Sequence, residues 1–455
     1  MSEGRLDGLS KDEKREMLQA ILGRPGPGGV PGSSVLGPGS DAGAPAAIPE
    51  QFYRFDRFPA YEQLMAQRFI AERAGIPSPF FQTHEGVARD TTMVEGRTLI
   101  NFGTYNYLDL NGDPRVTRAA LDAAERWGTS ASASRVVSGE RPIQGRLEAR
   151  IASLLNTEAA VVFVSGHATN VAVIGHLLGP RDLVVHDELI HNSVLMGVRL
   201  SGADRKVLSH NDVGELDRWL DKNRGRYEKV LVAVEGLYSM DGDVPPLPAL
   251  VRLREKHRFL LMVDEAHSIG VVGERGRGVR EHFGLEGRHV DLWMGTLSKS
   301  FAGQGGYIAG TRALVEYLKA TCPGFVYSVG ISPPLAAASL EAIRIMEAEP
   351  ERVSTLRGNG LHFLRRIREA GLDPGLSEGY AVVPVIIGNS LEAIMASNAL
   401  FQAGVSVQPI IHPAVPERSA RLRFFISSAH SHEQLDRTVE RVAEVVAGVG
   451  PKERR

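Results

Sequence analysis

The sequence predicts an α/β protein in which a large domain, built on a mainly parallel sheet, is followed by a smaller α+β domain. Short apolar runs alternate with amphipathic segments from about residue 99, which is the pattern of strand–helix–strand units. Many of these runs lack polar alternation, as expected for strands covered on both faces. Several runs end in polar residues, and the carboxyl edge of such a sheet is where ligands bind.

The bulk composition describes an ordinary globular chain of 455 residues, long enough for two or three domains. A formal net charge of −2 offers no basic field for nucleic acid and no polybasic membrane anchor. A single cysteine, Cys322, leaves no internal disulfide framework and no cysteine-based zinc cluster. Apolar runs such as 259–263 are too short to span a bilayer. We therefore expect a soluble, cytoplasmic protein without a membrane span.

The N-terminal region predicts two segments outside the main body. Residues 1–22 form a possible docking helix, opened by a capping box at Ser10–Glu13 and carrying an apolar stripe. One interpretation is that the stripe docks a carrier protein or a neighbouring subunit. The alternative is that the helix packs on the chain's own body or is largely disordered. Residues 23–49 are dominated by Gly, Pro, Ala and Ser and predict a flexible linker.

The body of the chain is expected to contain an N-terminal arm at 50–98, a large domain at 99–340 and a small domain at 341–449. The arm is rich in aromatic residues and includes a hairpin followed by a strand. The candidate helices have an apolar stripe and lie at 114–127, 144–155, 170–178, 212–222, 246–256, 334–370 and 432–446. The candidate strands are apolar and lie at 159–164, 183–186, 206–208, 229–235, 259–264, 290–294, 306–309, 381–387, 405–407 and 422–427.

The central motif of the sequence is Gly295–Ser300, which follows an apolar run and precedes a glycine-rich turn. Its Lys299 becomes a nucleophile if burial or a neighbouring cation lowers the pKa of the amine. The hydroxyls of Thr296 and Ser298 suit an anion such as a phosphate. An isolated lysine of this kind is more often a solvated surface charge, so the motif needs support from other strand ends.

That support comes from polar residues at the ends of other apolar runs. Asp264 and His267 follow the run 259–263, where a helix cap is the structural alternative for Asp264. Gly166 lets backbone amides approach an anion at a helix start, and Arg423 suits bidentate capture of a carboxylate. The carboxylates in 241–243 are typical of a turn, and we expect no metal site.

Five ordered motifs give the chain a family resemblance over residues 95–445. They are Gly-Thr-Tyr-Asn-Tyr-Leu at 103–108, Glu-Gly-Leu-Tyr-Ser-Met-Asp-Gly-Asp at 235–243, Val-Asp-Glu-Ala-His-Ser at 263–268, Gly-Thr-Leu-Ser-Lys at 295–299 and Arg-Leu-Arg-Phe-Phe-Ile-Ser-Ser-Ala-His-Ser at 421–431. Together they resemble the α-oxoamine synthases, which include serine palmitoyltransferase and 8-amino-7-oxononanoate synthase. The nearer likeness is to serine palmitoyltransferase. The resemblance implies the aspartate aminotransferase-like fold type I and the cofactor pyridoxal 5′-phosphate.

The resemblance also implies roles for individual residues. Lys299 would link covalently to the cofactor and move protons, Asp264 would pair with the ring nitrogen, and His267 would contact the ring oxygen. His191 would stack on the ring as a further catalytic residue. The remaining cofactor contacts implied are Ser239, Thr296, Gly166 and His167, and the implied substrate-binding residues are Arg423, Asn106 and Ser134.

The reaction implied is a decarboxylative Claisen-type condensation of an amino acid with an acyl thioester, giving an α-amino ketone. The donor is coenzyme A or an acyl carrier protein, the latter fitting a polyketide-pathway member, and a homodimer is expected. Ser134 stands where aminolevulinate synthases have threonine, which favours alanine or serine over glycine. An aminotransferase and a non-catalytic partner subunit are the alternatives; the presence of Lys299 argues against the second. Departures from the family pattern at Gln144, Asp109, 130–133 and His167 bear on substrate choice.

Overall fold

The computed structural model describes residues 48–449, and the predicted docking helix and nearly all of the predicted linker lie outside that range. A seven-stranded sheet is its central element, with strand order β3-β9-β8-β7-β6-β4-β5. The strands of this sheet are β3 Ala159–Phe163, β4 Leu183–Asp187, β5 Asp204–Leu208, β6 Val230–Glu235, β7 Leu260–Asp264, β8 Leu292–Thr296 and β9 Gly306–Gly310. The sheet is parallel except for β9, which runs antiparallel to both of its neighbours.

The remaining strands are short and lie outside the central sheet. They are β1 Thr91–Val94, β2 Arg97–Asn101, β10 Val382–Gly388, β11 Val405–Ser406, β12 Pro409–Ile410 and β13 Ala420–Phe425. β1 and β2 form the predicted hairpin, but β2 runs from Arg97 through the stretch that the sequence assigned to a separate strand. Glu95 and Gly96 both have positive φ, which matches the twist that a two-residue hairpin turn requires.

The helices alternate with the strands as predicted. They are α1 Pro59–Arg73, α2 Pro114–Trp127, α3 Pro142–Leu155, α4 Gly166–Leu177, α5 Asn192–Ser201, α6 Val213–Asn223, α7 Leu247–His257, α8 Gly278–His282, α9 Arg312–Thr321, α10 Pro323–Val326, α11 Pro333–Ala348, α12 Glu351–Glu369, α13 Ser390–Gln402 and α14 His432–Val449. Polar side chains cap several of them: Asp113 accepts from the amide of Arg115, and Asp212 from that of Glu215.

Two helix predictions need correction, and two longer helices were not predicted. The predicted helix at 334–370 is two helices, because Pro350 has no amide hydrogen to continue the first. α4 starts at Gly166 instead of residue 170, since Ser165 caps it by accepting from the amide of Ala168. Helices α9 and α13 were not predicted, although Thr311 and Asn389 cap them in the usual way.

Every residue of β4, β6, β8 and β9 is buried, which confirms the strand type that the uninterrupted apolar runs predicted. Helices α4 and α5 contribute to the same apolar core through Val173, Ile174 and Val194. A sheet held in this way fixes the positions of its strand ends. Polar residues at those ends are therefore carried on a rigid support.

Contacts between Cα atoms group the described residues into two units. The sheet unit comprises 84–385 and 423–440; the other unit comprises 48–83, 386–422 and 441–449. Within the second unit, β12 pairs antiparallel with the start of β13, Pro409 opposite Leu422. The predicted domain boundaries stay predictions. Within the described range, no helix combines the length and apolarity needed to cross a membrane.

Candidate active site

Neighbouring parallel strands bring polar side chains to one edge of the sheet. β6 ends at Glu235, β7 at Asp264 and β8 at Thr296, and Lys299 follows three residues after β8. Glu235 and Asp264 are register partners, so their side chains start from adjacent positions. His191 follows the end of the next parallel strand, β4, and forms the N-cap of α5. The sheet topology thus brings together residues that are far apart in the sequence.

The amine of Lys299 lies in a partly buried environment, 5.4 Å from the centre of the Tyr105 ring. Burial lowers the pKa of Lys299 to about 8, and the charge of Arg423 acts in the same direction. The carboxylates of Asp264 and Glu235 oppose the shift without cancelling it. The unprotonated amine is therefore far more abundant near neutral pH than in a surface lysine, as a nucleophile requires.

The Asp264 carboxylate is buried and held by two donors. One oxygen accepts from Asn170 Nδ2 at 2.8 Å and the other from the amide of Ala266 at 3.0 Å. Asn170 Nδ2 also donates to Ser193 Oγ at 2.9 Å, and Ser193 Oγ lies 2.7 Å from Nδ1 of His191. Two predicted site residues, Asp264 and His191, are therefore joined through side chains that were not predicted.

His267 is buried and held by aromatic neighbours. Its Nδ1 is hydrogen-bonded to the Tyr107 hydroxyl at 2.7 Å, and its ring is stacked with Phe425 at 6.1 Å between centres. Burial lowers the pKa of His267 well below its usual value, and the charges of Lys299 and Arg423 lower it further. The neutral form of His267 is therefore favoured, and Nε2 is the ring nitrogen that Tyr107 does not bind.

Arg423 lies on β13 and reaches the loop after β6. Its Nη1 donates to the carbonyl of Ser239 at 2.9 Å, and its guanidinium lies 4.5 Å from the centre of the Phe425 ring. The amide of Ser239 donates to Glu235 at 2.9 Å. Burial raises the pKa of Glu235 to about 8, and the charge of Asp264 adds to this. The loop thus connects the arginine to the carboxylates.

Two glycines let the backbone pack closely beside Thr296, whose hydroxyl shares a hydrogen bond of 2.8 Å with that of Ser298. A Cβ on Gly166 would lie 2.9 Å from the Thr296 hydroxyl oxygen, and one on Gly306 would lie 2.6 Å from the Cα of Gly166. Gly166 also starts α4, where backbone amides lack partners within the helix. Hydroxyls and a helix start arranged in this way suit an anion.

Three other predicted residues, His167, Asn106 and Ser134, have contacts that are less directly connected to Lys299 and Asp264. His167 is exposed, and its ring lies edge-on to His191, 6.3 Å between centres. The Asn106 side chain makes four hydrogen bonds to backbone groups and so holds a loop. Ser134 starts the turn Arg135–Gly139 and accepts from the last amide of that turn at 2.9 Å. The substrate contacts predicted for Asn106 and Ser134 stay predictions.

The side chains that hold the predicted residues in place were not predicted from the sequence; they are Tyr105, Tyr107, Asn170, Ser193 and Phe425. Some of them carried a usable pattern. Asn170 lies four residues after Gly166, on the same face of a helix, and Tyr105 and Tyr107 lie within the quoted motif 103–108. Phe425 likewise lies within the quoted motif 421–431, whereas the role of Ser193 needed the tertiary structure.

Comparisons with known proteins agree with this geometry. The sequence profile of the family "Aminotransferase class I and II" matches residues 97–442. 8-Amino-7-oxononanoate synthase of Symbiobacterium thermophilum is 41% identical over 379 residues, covering 83% of this chain and 96% of the relative. The enzyme of the same name from Thermoanaerobacter pseudethanolicus is 38% identical over 354 residues, covering 78% of this chain and 89% of the relative.

This chain is also similar to solved structures of serine palmitoyltransferases. Serine palmitoyltransferase of Sphingomonas wittichii has a TM-score of 0.82 and 30% identity, covering 86% of this chain and 98% of that one. A serine palmitoyltransferase variant from S. paucimobilis, solved with bound PLP, has a TM-score of 0.80 and 29% identity, with the same coverage. Identity is thus higher to these oxononanoate synthases than to these palmitoyltransferases, to which the sequence motifs gave the nearer likeness.

Proposed function

This chain belongs to the class I and II aminotransferase family, and on that premise we propose that its site condenses an amino acid with an acyl thioester. It is an acyltransferase of the α-oxoamine synthase type, dependent on pyridoxal 5′-phosphate, and its reaction releases carbon dioxide. The observation that carries the proposal is the amine of Lys299, its pKa lowered to about 8 beside the buried Asp264 carboxylate.

The residues present fit this cofactor. Lys299 offers an amine for the aldehyde, and Asp264 offers a buried carboxylate for the ring nitrogen. Thr296 and Ser298 supply hydroxyls for the phosphate, beside a helix start where a side chain at Gly166 would collide with Thr296. When bound, pyridoxal phosphate supplies an electron sink for a carbanion on the amino acid.

We assign the following work to the chain's own residues. Lys299 holds the cofactor and takes the α-proton of the amino acid onto Nζ. Asp264 keeps a proton on the ring nitrogen, because its negative charge favours the protonated state of that nitrogen. His267 contacts the ring oxygen, and its neutral ring is held by Tyr107. Arg423 captures the carboxylate of the amino acid, a task that suits a guanidinium.

The remaining cofactor contacts that we propose are secondary. His191 would stack on the ring, while Ser239 in the loop after β6 and His167 in the first turn of α4 would contact the cofactor. Asn106 and Ser134 are proposed to shape the pocket for the amino acid. Alanine or serine is the proposed amino acid, and coenzyme A or an acyl carrier protein the proposed carrier of the acyl group.

Lys299→Ala tests the proposal. The wild-type protein should show a yellow chromophore that borohydride fixes to the chain, and should release thiol from an acyl thioester only when the amino acid is present. The variant should lose the fixable chromophore and the thiol release. Lys256→Ala is the matched control, since Lys256 pairs with Asp217 at 2.7 Å on the surface. A fixable chromophore that persists in Lys299→Ala would contradict the assignment.

We also propose a homodimer in the cytoplasm that serves a polyketide pathway. Exposed aromatic side chains at Phe52, Tyr53, Phe55 and Tyr61 support the dimer, because a cluster of apolar groups in water favours association. Sedimentation equilibrium of the wild type and of Phe52→Ser/Phe55→Ser tests it. The variant should dissociate at a protein concentration at least tenfold higher than the wild type does; a monomeric wild type would contradict the dimer.

A further inference from the structure

A chain of hydrogen bonds runs from Asp264 to His191 inside the sheet unit. Asn170 Nδ2 donates to the Asp264 carboxylate at 2.8 Å and to Ser193 Oγ at 2.9 Å. Ser193 Oγ then meets Nδ1 of His191 at 2.7 Å. Asn170 and Ser193 are 1% and 0% exposed, so water does not compete for the contacts of Asn170, while His191 itself is exposed. The chain therefore connects a fixed negative charge to an imidazole at the site.

The direction of each bond follows from the chemistry of its partners. An ionised carboxylate only accepts, so Asn170 must present its NH₂ group to Asp264. The same NH₂ group donates to Ser193 Oγ, which leaves the hydroxyl hydrogen available for His191. The backbone amide of Ser193 also donates to Nδ1 of His191, at 3.3 Å, and a backbone amide can act only as a donor. That amide makes Nδ1 an acceptor, and the Ser193 hydroxyl therefore donates its hydrogen to Nδ1.

The orientation of Asn170 carries a local disadvantage that supports this arrangement. Its Oδ1 is buried and finds no hydrogen-bond partner among residues 48–449. A buried polar atom without a partner is unfavourable. In this orientation the NH₂ group of Asn170 donates to both Asp264 and Ser193, although its Oδ1 is left without a partner among the described residues.

We propose that Asn170 and Ser193 are positioning residues that use the charge of Asp264 to fix His191 with its proton on Nε2. This inference rests on the proposed function, in which His191 lies over the cofactor ring, and it adds a second role for His191 beside the carboxylate that Arg423 captures. In that tautomer Nε2 is a donor and attracts the carboxylate of the amino acid. In the other tautomer Nε2 would present a lone pair to the same anion and repel it. The donor for the carboxylate of the amino acid is thus fixed before the amino acid binds.

The experiment measures the tautomer directly in the full chain labelled with ¹⁵N-histidine, with and without pyridoxal phosphate. Couplings between ring nitrogens and carbon-bound protons distinguish a protonated nitrogen from an unprotonated one, and the signals that vanish in His191→Gln identify His191. In the wild type Nε2 should carry the proton in both forms. In Ser193→Ala the Nδ1-protonated share should rise, and Ser193→Thr, which keeps the hydroxyl, should restore the wild-type pattern.

A matched control separates this effect from loss of any serine or threonine hydroxyl near a histidine. Thr321 Oγ1 lies 2.8 Å from Nε2 of His176, outside the site. Thr321→Val should change the signals of His176 and leave those of His191 unchanged. With pyridoxal phosphate bound, Ser193→Ala should also raise the dissociation constant of the amino acid about tenfold, more than it lowers thiol release at saturation.

The outcomes are distinct. A wild-type His191 protonated on Nδ1, or a Ser193→Ala variant with the unaltered tautomer, overturns the inference even if the protein binds its cofactor. A protein that takes up no pyridoxal phosphate overturns the proposed function instead, and the tautomer of the cofactor-free chain is still measured. A Ser193→Thr variant that behaves like Ser193→Ala also counts against the inference, because the hydroxyl would then not be the relevant group.

Discussion

The titratable side chains at the strand ends are shifted in the directions that burial imposes. The pKa of Lys299 falls, that of Glu235 rises and that of His267 falls, each with burial as the largest cause. Each shift favours the neutral form, so the site holds fewer charges than its residue types indicate. A neutral amine is the form that attacks an aldehyde, and the shift therefore prepares Lys299 for the cofactor.

This gives a pH dependence for cofactor uptake. If the pKa of Lys299 is about 8, as burial predicts, the rate at which the cofactor-free protein forms the fixable adduct should rise with pH and level off above about 8. An ordinary lysine would keep gaining rate to about pH 10.4. Stopped-flow absorbance measures the rate, with free N-acetyl-lysine as the control. A rate that still rises tenfold between pH 9 and 10 would contradict the lowered pKa.

Asp264 carries a separate prediction at the same scale. Asp264→Ala should lower thiol release by about a thousandfold, because a buried charge aimed at developing charge is worth two to three orders of magnitude. The fold should persist, since the variant removes no part of the apolar core. Circular dichroism checks the fold, and Asp122→Ala, on the surface of α2, is the control. Normal turnover in Asp264→Ala would overturn the assignment of Asp264.

At the scale of elements, His210 joins three parts of the sheet unit. Its Nδ1 contacts Asp187 at the end of β4 at 2.9 Å, and its Nε2 contacts Asp243 in the loop after β6 at 2.7 Å. Burial opposes a charge on His210, but the two carboxylates outweigh it and raise the pKa to about 10. The protonated ring thereby holds the loop that also carries Ser239.

The raised pKa of His210 predicts how stability depends on pH. The unfolded histidine has a pKa near 6.5, so the stabilisation is complete below that pH and is lost as pH rises through about 10. His210→Gln should lower the free energy of unfolding by about 3 kcal/mol at pH 6, and by much less at pH 10. Denaturant unfolding at both pH values measures this. His176 is the control, because its ring is hydrogen-bonded to the Thr321 hydroxyl and not to a carboxylate. The loss of unfolding free energy in His176→Gln should not become smaller between pH 6 and pH 10.

The start of α4 carries the next prediction, because a side chain there would enter the space beside Thr296. Gly166→Ala should raise the dissociation constant of pyridoxal phosphate at least tenfold, since the new Cβ would lie 2.9 Å from the Thr296 hydroxyl oxygen. Gly145→Ala, on α3, is the matched control, because its Cβ would meet no atom within 4 Å. Fluorescence titration of the cofactor-free protein compares the two. Equal dissociation constants would contradict the anion site at Gly166.

At the scale of the whole molecule, the sheet and the polar residues at its strand ends were predictable from the sequence. The side chains that hold those polar residues in place were not. Uninterrupted apolar runs identified the strands, and polar residues after them identified Lys299, Asp264 and His267. The bonds of Asn170 and Ser193 join residues 94 and 23 positions apart along the chain, a pairing that no local pattern encodes. Helix α13 was not predicted for a related reason. Its apolar residues face the interior around most of its circumference, so the sequence lacks the one-sided apolar stripe by which a helix is recognised.

The acyl donor is a question for the full chain, including the segment that precedes the described residues. Residues 10–13 carry the pattern of a capping box, and the apolar stripe after it needs a partner, for which we propose an acyl carrier protein. Deleting residues 1–49 should raise the KM for a carrier-bound thioester at least tenfold, because docking raises the local concentration of the tethered donor. The KM for the matching coenzyme A thioester should change less than twofold. Thiol release with both donors measures the split, and equal losses with the two donors would show that the segment acts on the enzyme body and not on the carrier.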